Sequence, residues 1–248
     1  MNLDLLWTFL VGVGASLLSG LAGGGGGLIS APFFILIGLP PQVAVATTKF
    51  GALGVTLGSL AKFRQTEHVR REHVVFLSIL SIAAAIIGTR LLILSSDALI
   101  EKVVGVMMLA SLPFIFLKNI GVARSQPKPW QEMLGYIFYF IILVLQAAFG
   151  AGIGMVLMII MMGLMGFTAL EANATRRIPG FLLASVSLLI FILSDVVYYS
   201  YGVAMLAGML IGGYLGAHIA IRQGNSFVKA IFAMTVAILG AQLLLKAA

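Results

Sequence analysis

A chain of 248 residues with 61% hydrophobic and 9% charged side chains, at a mean hydropathy of +1.13, cannot cover itself with a water-compatible surface. Soluble domains carry about 25% charged residues, so the composition excludes a soluble globular protein and calls for an integral membrane protein. The formal charge of +7 falls mostly in short loops between apolar runs, which is a mark of membrane orientation and not of nucleic-acid binding.

Cysteine is absent and there are only three histidines and eight acids. That leaves no disulfide and no thiolate site, and it gives a structural metal centre or other cofactor no obvious ligands. The start, Met1-Asn2-Leu3-Asp4-Leu5, lacks the basic residues of a removable signal peptide. The first apolar run is therefore expected to be retained.

Apolar runs cover 4–21, 28–38, 43–61, 74–94 and 98–117. After a polar loop from Lys118 to Glu132 they resume at 133–149, 155–166, 170–193, 202–221 and 227–246. Runs 28–38 and 155–166 are too short to cross. Eleven or twelve helical residues reach only ~18 Å, against a hydrocarbon core of ~30 Å. Each follows a glycine-rich break, Gly23-Gly24-Gly25-Gly26-Gly27 in one case and Gly150-Ala151-Gly152-Ile153-Gly154 in the other. Irregular backbone at that depth is tolerated where it is buried in protein or lines a watery cavity. The alternative is that these glycines only let helices pack closely.

The two halves match without a gap. A shift of 128 positions carries Gly24 onto Gly152, Gly26 onto Gly154, Gly38 onto Gly166 and Gly88 onto Gly216. It also carries Ala44-Val45-Ala46-Thr47 onto Ala172-Asn173-Ala174-Thr175. Paired interruptions in two corresponding halves are the best sequence pointer to a transporter's binding site.

Loop charge orients the halves. The stretch Lys62-Phe63-Arg64 to Arg70-Arg71-Glu72-His73 is basic, hence cytoplasmic, while its counterpart from Ser194-Asp195 to Tyr201-Gly202 has no Lys or Arg. The connection from Ser95 to Glu101 is acidic, and its counterpart holds Arg222 and Lys229. The linker with Lys118, Arg124 and Lys128 is basic. Five segments per half invert the second repeat and put both termini outside.

Polar clusters follow each break: Thr47-Thr48-Lys49 in the first half and Asn173-Ala174-Thr175-Arg176-Arg177 in the second. A Lys or Arg deep in a membrane helix costs about 2.5–3.5 kcal/mol on insertion scales and usually faces a cavity or partner. Snorkelling to the headgroups is the competing account. Cations and donors with few acids nearby imply an anionic ligand. The broken helices would add free backbone amides and helix N-termini from Gly24, Gly25, Gly26, Gly150, Gly152 and Gly154. Small oxyanions fit, since hydroxyl, amide and ammonium groups can each take one oxygen.

Other polar residues carry blander accounts. Glu171, at a segment start, reads as a helix cap. Gln146 is as readily a helix–helix hydrogen bond as a ligand contact. Arg90 and His218 are repeat mates near segment ends and read as interface anchors, with proton coupling by His218 as the alternative. His68 and His73 sit in the basic loop and read as solvated. Trp7, Trp130, Tyr198 and Tyr199 fall at segment ends, as interfacial aromatics do.

The run Leu21-Ala22-Gly23-Gly24-Gly25-Gly26-Gly27, the stretch Ala44-Val45-Ala46-Thr47-Thr48-Lys49-Phe50 and the segment Glu171-Ala172-Asn173-Ala174-Thr175-Arg176-Arg177-Ile178-Pro179-Gly180 together resemble the TauE/SafE family of sulfite exporters. The resemblance implies a secondary transporter of the bacterial cytoplasmic membrane that moves sulfite, sulfonates or related anions. It places the pathway at Lys49, Thr47 and Thr48, and at Asn173, Thr175, Arg176 and Arg177.

The expectation is thus an all-α membrane protein of two inverted five-segment repeats, 1–118 and 133–248, joined by a cytoplasmic linker 119–132. About eight full transmembrane helices would be accompanied by short broken or re-entrant segments after the glycine runs. Its partners would be a small anion, the lipid bilayer and a coupling proton or sodium ion, and the sequence is compatible with a homodimer. A passive anion channel and a non-transporting scaffold remain as alternatives. No nucleophile–base pair suggests an enzyme.

Overall fold

The computed structural model describes residues 3–24, 26–100, 103, 126–150 and 154–247, apart from the side chains of 22, 28, 229, 232, 233 and 235–247. Gly25, Gly152, most of the run 98–117 and residues 119–125 of the linker lie outside the described residues.

Among the described residues the regular structure is helical throughout. A chain this apolar must satisfy its backbone N–H and C=O groups within each segment, and the helix does so. The helices are α1 (Leu3–Ala22), α2 (Gly26–Leu36), α3 (Pro41–Phe63), α4 (Arg71–Leu94), α5 (Pro129–Phe149), α6 (Gly154–Gly163), α7 (Ala169–Thr175), α8 (Arg177–Leu193) and α9 (Tyr199–Ala247). Six spans are long and apolar enough to cross a membrane: α1, α3, α4, α5, α7 continued by α8, and α9 as far as Val228. The chain is a multi-pass membrane protein.

The short segments take the expected form. α2 has 11 residues and α6 has 10, each reaching only ~15–17 Å. The chain leaves them through Gly38 (φ 95°) and Gly166 (φ 72°), where a left-handed backbone favours glycine.

One apolar run divides differently from expectation. The run 170–193 breaks at Arg176 (φ −73°, ψ −5°), which separates α7 from α8. Pro179 is the cause: it has no N–H for the Thr175 carbonyl, and its ring crowds that carbonyl. Proline is tolerated in the first turn of a new helix, and Gly180 N–H resumes the ladder on the Arg176 carbonyl at 2.8 Å. Within α9, runs 202–221 and 227–246 stay apart as expected, because the non-helical backbone of Gly224 (φ 79°, ψ −175°) separates two helices there.

α9 packs between α1 and α3, while α4 packs against α5 and α8. Small residues set the first group. A Cβ added at Gly20 would stand 2.9 Å from Gly216 Cα, and one at Gly213 would stand 2.8 Å from the Val55 carbonyl oxygen. Close backbone approach replaces the hydrophobic drive that helices lack in lipid. The outward faces are apolar, as along Val75, Ile79, Ile82 and Ile86 of α4. Trp7, Trp130, Tyr198 and Tyr199 are about half-exposed near helix starts, where interfacial aromatics belong.

Candidate functional site

Between these groups lies a cavity of about 100 Å³. Its walls come from the end of α1, the start of α2, the middle of α3, the end of α5, the start of α6 and the first turns of α8.

The two glycine breaks meet at this cavity. A Cβ on Gly24 would stand 2.7 Å from the Gly154 carbonyl carbon and the Met155 nitrogen, so only a bare backbone passes there. Gly24, Gly26, Gly150 and Gly154 all line the cavity. Gly26 opens α2 and Gly154 opens α6, so both short helices begin at its wall.

α1 ends at Gly23 (φ 74°), which leaves its last carbonyls without intrahelical donors. Second-half side chains supply them. Arg177 Nη2 donates to the Ser19 carbonyl at 3.0 Å, and Asn173 Nδ2 donates to the Gly20 carbonyl at 2.8 Å. Arg176 Nη1 donates to the carbonyls of both Gly23 and Gly154, tying one break to the other. The Asn173 Oδ1 in turn accepts from Arg177 Nη2.

The reciprocal arrangement holds at α5. This helix ends at Gly150 (φ 69°), and first-half Lys49 donates from Nζ to the Gln146 carbonyl at 3.0 Å. Cations at helix C-termini meet the negative end of the helix dipole. Lys49 and Arg177 are 3% exposed and Arg176 is 9% exposed. All three are held inside the protein by carbonyls. Among the described residues, none of them forms an ion pair with a carboxylate.

The structure therefore gathers Thr48, Lys49, Arg176 and Arg177 around one space. Thr47, Asn173 and Thr175 are buried nearby but do not line it. Thr47 Oγ1 accepts the Tyr198 N–H at 3.0 Å, and Thr175 Oγ1 accepts the Arg70 N–H at 3.0 Å. Gln146 lines the cavity and gives its backbone carbonyl to Lys49. Glu171 caps α7 in a reciprocal pair: its Oε2 accepts the Thr168 N–H at 3.0 Å, and Thr168 Oγ1 accepts the Glu171 N–H at 3.2 Å. Arg90 is exposed, and His218 is half-buried on α9 away from the cavity lining.

One expectation is corrected. His73 is not solvated in a loop but buried in the first turn of α4. Its Nδ1 lies 2.7 Å from the Tyr136 hydroxyl, which donates to Glu132 at 3.1 Å. Its ring stands 4.9 Å from that of Phe167, over which the Arg70 guanidinium also packs at 4.4 Å. Phe167 precedes α7 and Thr175 ends it, so the Arg70–His73 segment grips at both ends the short helix that delivers Arg176. The apolar run beginning at Val74 disguised this: the helix starts three residues earlier, and the packing partners are remote in sequence.

Sequence reasoning also passed over Ser19, Ser30 and Thr56, which line the cavity. Small hydroxyl residues in apolar helices usually bond their own backbone, as Thr56 does to the Ala52 carbonyl at 2.7 Å. They carry no distinguishing signal.

Known proteins place the chain. The model of the sulfite exporter TauE/SafE family matches residues 8–243. A "probable membrane transporter protein" of Haemophilus influenzae is 29% identical over 232 residues, covering 92% of this chain and 90% of that protein. The "probable membrane transporter protein YfcA" of Escherichia coli strain K12 is 27% identical over 250 residues, covering 95% of this chain and 88% of that one. A Sinorhizobium protein of the same description, ORF9, is 22% identical over 222 residues, with 89% and 85% covered. No solved structure matches the chain. A family model spanning nearly its whole length makes this chain a member of the TauE/SafE family of membrane transporters.

Proposed function

We propose that the chain is a secondary transporter carrying one small sulfur oxyanion, such as sulfite, outward across a bacterial cytoplasmic membrane by alternating access. The observation that carries this reading is the ring of three buried cations, Lys49, Arg176 and Arg177, around a cavity of about 100 Å³. Their carbonyl partners satisfy hydrogen bonds without cancelling net charge. In a low-dielectric interior that charge favours an anion strongly. The amides at the starts of α2 and α6 complete a donor-rich wall. The small volume favours compact oxyanions over extended organosulfonates.

The same reading takes 1–118 and 133–248 as inverted repeats with a cytoplasmic linker, 119–132, and both termini outside. It counts about eight full spans plus the short helices. Support comes from Gly38 and Gly166, which are 128 positions apart and share a left-handed backbone. Further support comes from the exchange in which each half caps the other half's broken helix. The glycine breaks then serve as hinges, and a proton, sodium or anion gradient supplies the drive.

Sulfite flux into proteoliposomes tests this. The expected result is saturable uptake that Lys49→Gln and Arg176→Gln each abolish. Unchanged flux in both variants overturns the site, and non-saturating flux at channel-like rates replaces alternating access with a pore.

A further inference from the structure

Threonines in apolar helices ordinarily bond their own helix. Thr48, Thr56 and Thr89 do so, each donating to a carbonyl three or four residues back. Thr47 and Thr175 differ, because each hydroxyl oxygen accepts a backbone N–H from the other half of the chain. Thr47 takes that of Tyr198 at 3.0 Å, and Thr175 takes that of Arg70 at 3.0 Å. Both threonines are fully buried. Thr175 lies 128 positions after Thr47, and Tyr198 lies 128 positions after Arg70. The shift that carries Gly38 onto Gly166 therefore carries one bond onto the other, with the donor and acceptor halves exchanged.

The donors match in their surroundings too. Arg70 and Tyr198 stand at the starts of α4 and α9, where their carbonyls accept the His73 N–H at 3.1 Å and the Gly202 N–H at 2.9 Å. Each bond thus pins the start of a long helix to the opposite half. The two pins lie on either side of the cavity. Thr47 is near the start of α3, and Lys49, Ala52 and Thr56 line the cavity farther along that helix. Arg70 follows its far end, and from Thr47 to Phe63 alone the helix rises ~24 Å. The second half repeats the order: Thr175 precedes α8, Arg177, Gly180 and Leu183 line the cavity, and Tyr198 follows the far end. α3 and α8 pack together.

We infer that Thr47 and Thr175 are the two gate latches of the transport cycle. The Thr47–Tyr198 bond closes one end of the pathway, the Thr175–Arg70 bond closes the other, and they open in turn. The inference rests on the alternating-access reading above. A single neutral hydrogen bond suits the task, since its net worth is small enough to be broken in every cycle. Thr47 stands two residues before Lys49 and Thr175 one before Arg176, so each latch shares a helix turn with a cavity cation. The threonines govern access, and the cations hold the ion.

The chain has no cysteine, so Ala52→Cys on the cavity wall gives a single reporter in the full-length protein. Sealed vesicles of each orientation are treated with a membrane-impermeant maleimide, without sulfite, which would consume it. Thr47→Val keeps the side-chain shape and removes the acceptor. It is expected to raise labelling from the Tyr198 face by about three- to tenfold, the population shift that one lost hydrogen bond gives, with no rise from the Arg70 face. Thr175→Val should do the reverse, and serine at either position should restore the parent pattern. The two positions are tested independently, so a variant that does not fold leaves the other to decide. A merely structural threonine would lower the melting temperature and bias labelling toward neither face. That result, or a bias toward the opposite face, overturns the latches while saturable sulfite flux leaves the transporter reading standing. A parent reporter labelled freely from both faces, together with non-saturating flux, overturns alternating access itself and the latches with it.

Discussion

The Lys49 ammonium lies 3.0 Å from the Gln146 carbonyl, which also accepts the Gly150 N–H at 3.0 Å, so a cation from the first half meets the carbonyl end of a helix in the second. Arg177 returns the arrangement by reaching the Ser19 carbonyl at the end of α1. Charge and end-capping are thus combined in the same side chains, and mutations can separate them. Lys49→Gln keeps an N–H donor for the carbonyl and loses the charge. It should unfold within a few degrees of wild type yet lose the thermal shift that sulfite gives the native protein. Thermal-shift measurement with and without sulfite checks both parts, since a ligand stabilises by mass action.

Contact between the breaks gives a second expectation. A methyl at Gly24 would press within 2.7 Å of the Gly154–Met155 backbone, where nothing flexible can yield. Gly24→Ala should destabilise by about 1–3 kcal/mol, as overpacking does, and should abolish flux. Gly14→Ala is the matched control on α1, since an added Cβ there meets nothing within 4 Å. It should stabilise by roughly 0.5–1 kcal/mol through helix propensity. Thermal unfolding of the two variants in detergent separates crowding from propensity.

Asn173 holds the geometry of the cations and lies off the cavity wall. Its amide bridges the Gly20 carbonyl and the Arg177 guanidinium. Asn173→Leu should cost about 1–3 kcal/mol by leaving a buried carbonyl unsatisfied. Sulfite affinity should fall with it, because Arg177 loses a support. Asn173→Asp retains the acceptor for Arg177 while introducing a negative charge beside it, and its sulfite binding should fall further than its stability. Calorimetric affinity plotted against melting temperature for the pair reveals the split.

Much of this was legible in the chain. Glycine breaks, two short helices and the clustering of Thr48, Lys49, Arg176 and Arg177 follow from composition and spacing, because each violates the expectation for a lipid-spanning helix. What spacing does not carry is the direction of a buried hydrogen bond. Thr47 and Thr175 stand beside the cations in sequence, yet each accepts from a backbone N–H of a distant segment, Tyr198 and Arg70. The split at Arg176 had a local cause in Pro179, but the surrounding run was apolar enough to read as one span. His73 shows the opposite error: a basic neighbourhood suggested water, while Tyr136 and Phe167, far along the chain, enclose it.

The cluster at His73 has its own test. Tyr136→Phe removes the hydroxyl that lies against His73 and donates to Glu132. It should destabilise by about 1–3 kcal/mol through the unsatisfied imidazole, and it should leave sulfite affinity unchanged because the ring stays in place. Urea or thermal unfolding together with titration of sulfite checks the two halves of that statement.

The exchange of helix ends bears on how such a chain can be made. Residues 1–118 alone would carry α1 into the bilayer with the carbonyls of Ser19, Gly20 and Gly23 bare, since their donors lie beyond the linker. Residues 133–248 alone would carry most of α5 with the Gly150 N–H on its Gln146 carbonyl but without the charge of Lys49 at that end. Neither piece is a finished object in a solvent without water. Insertion must therefore end in a joint event, when two incomplete halves meet and finish one another.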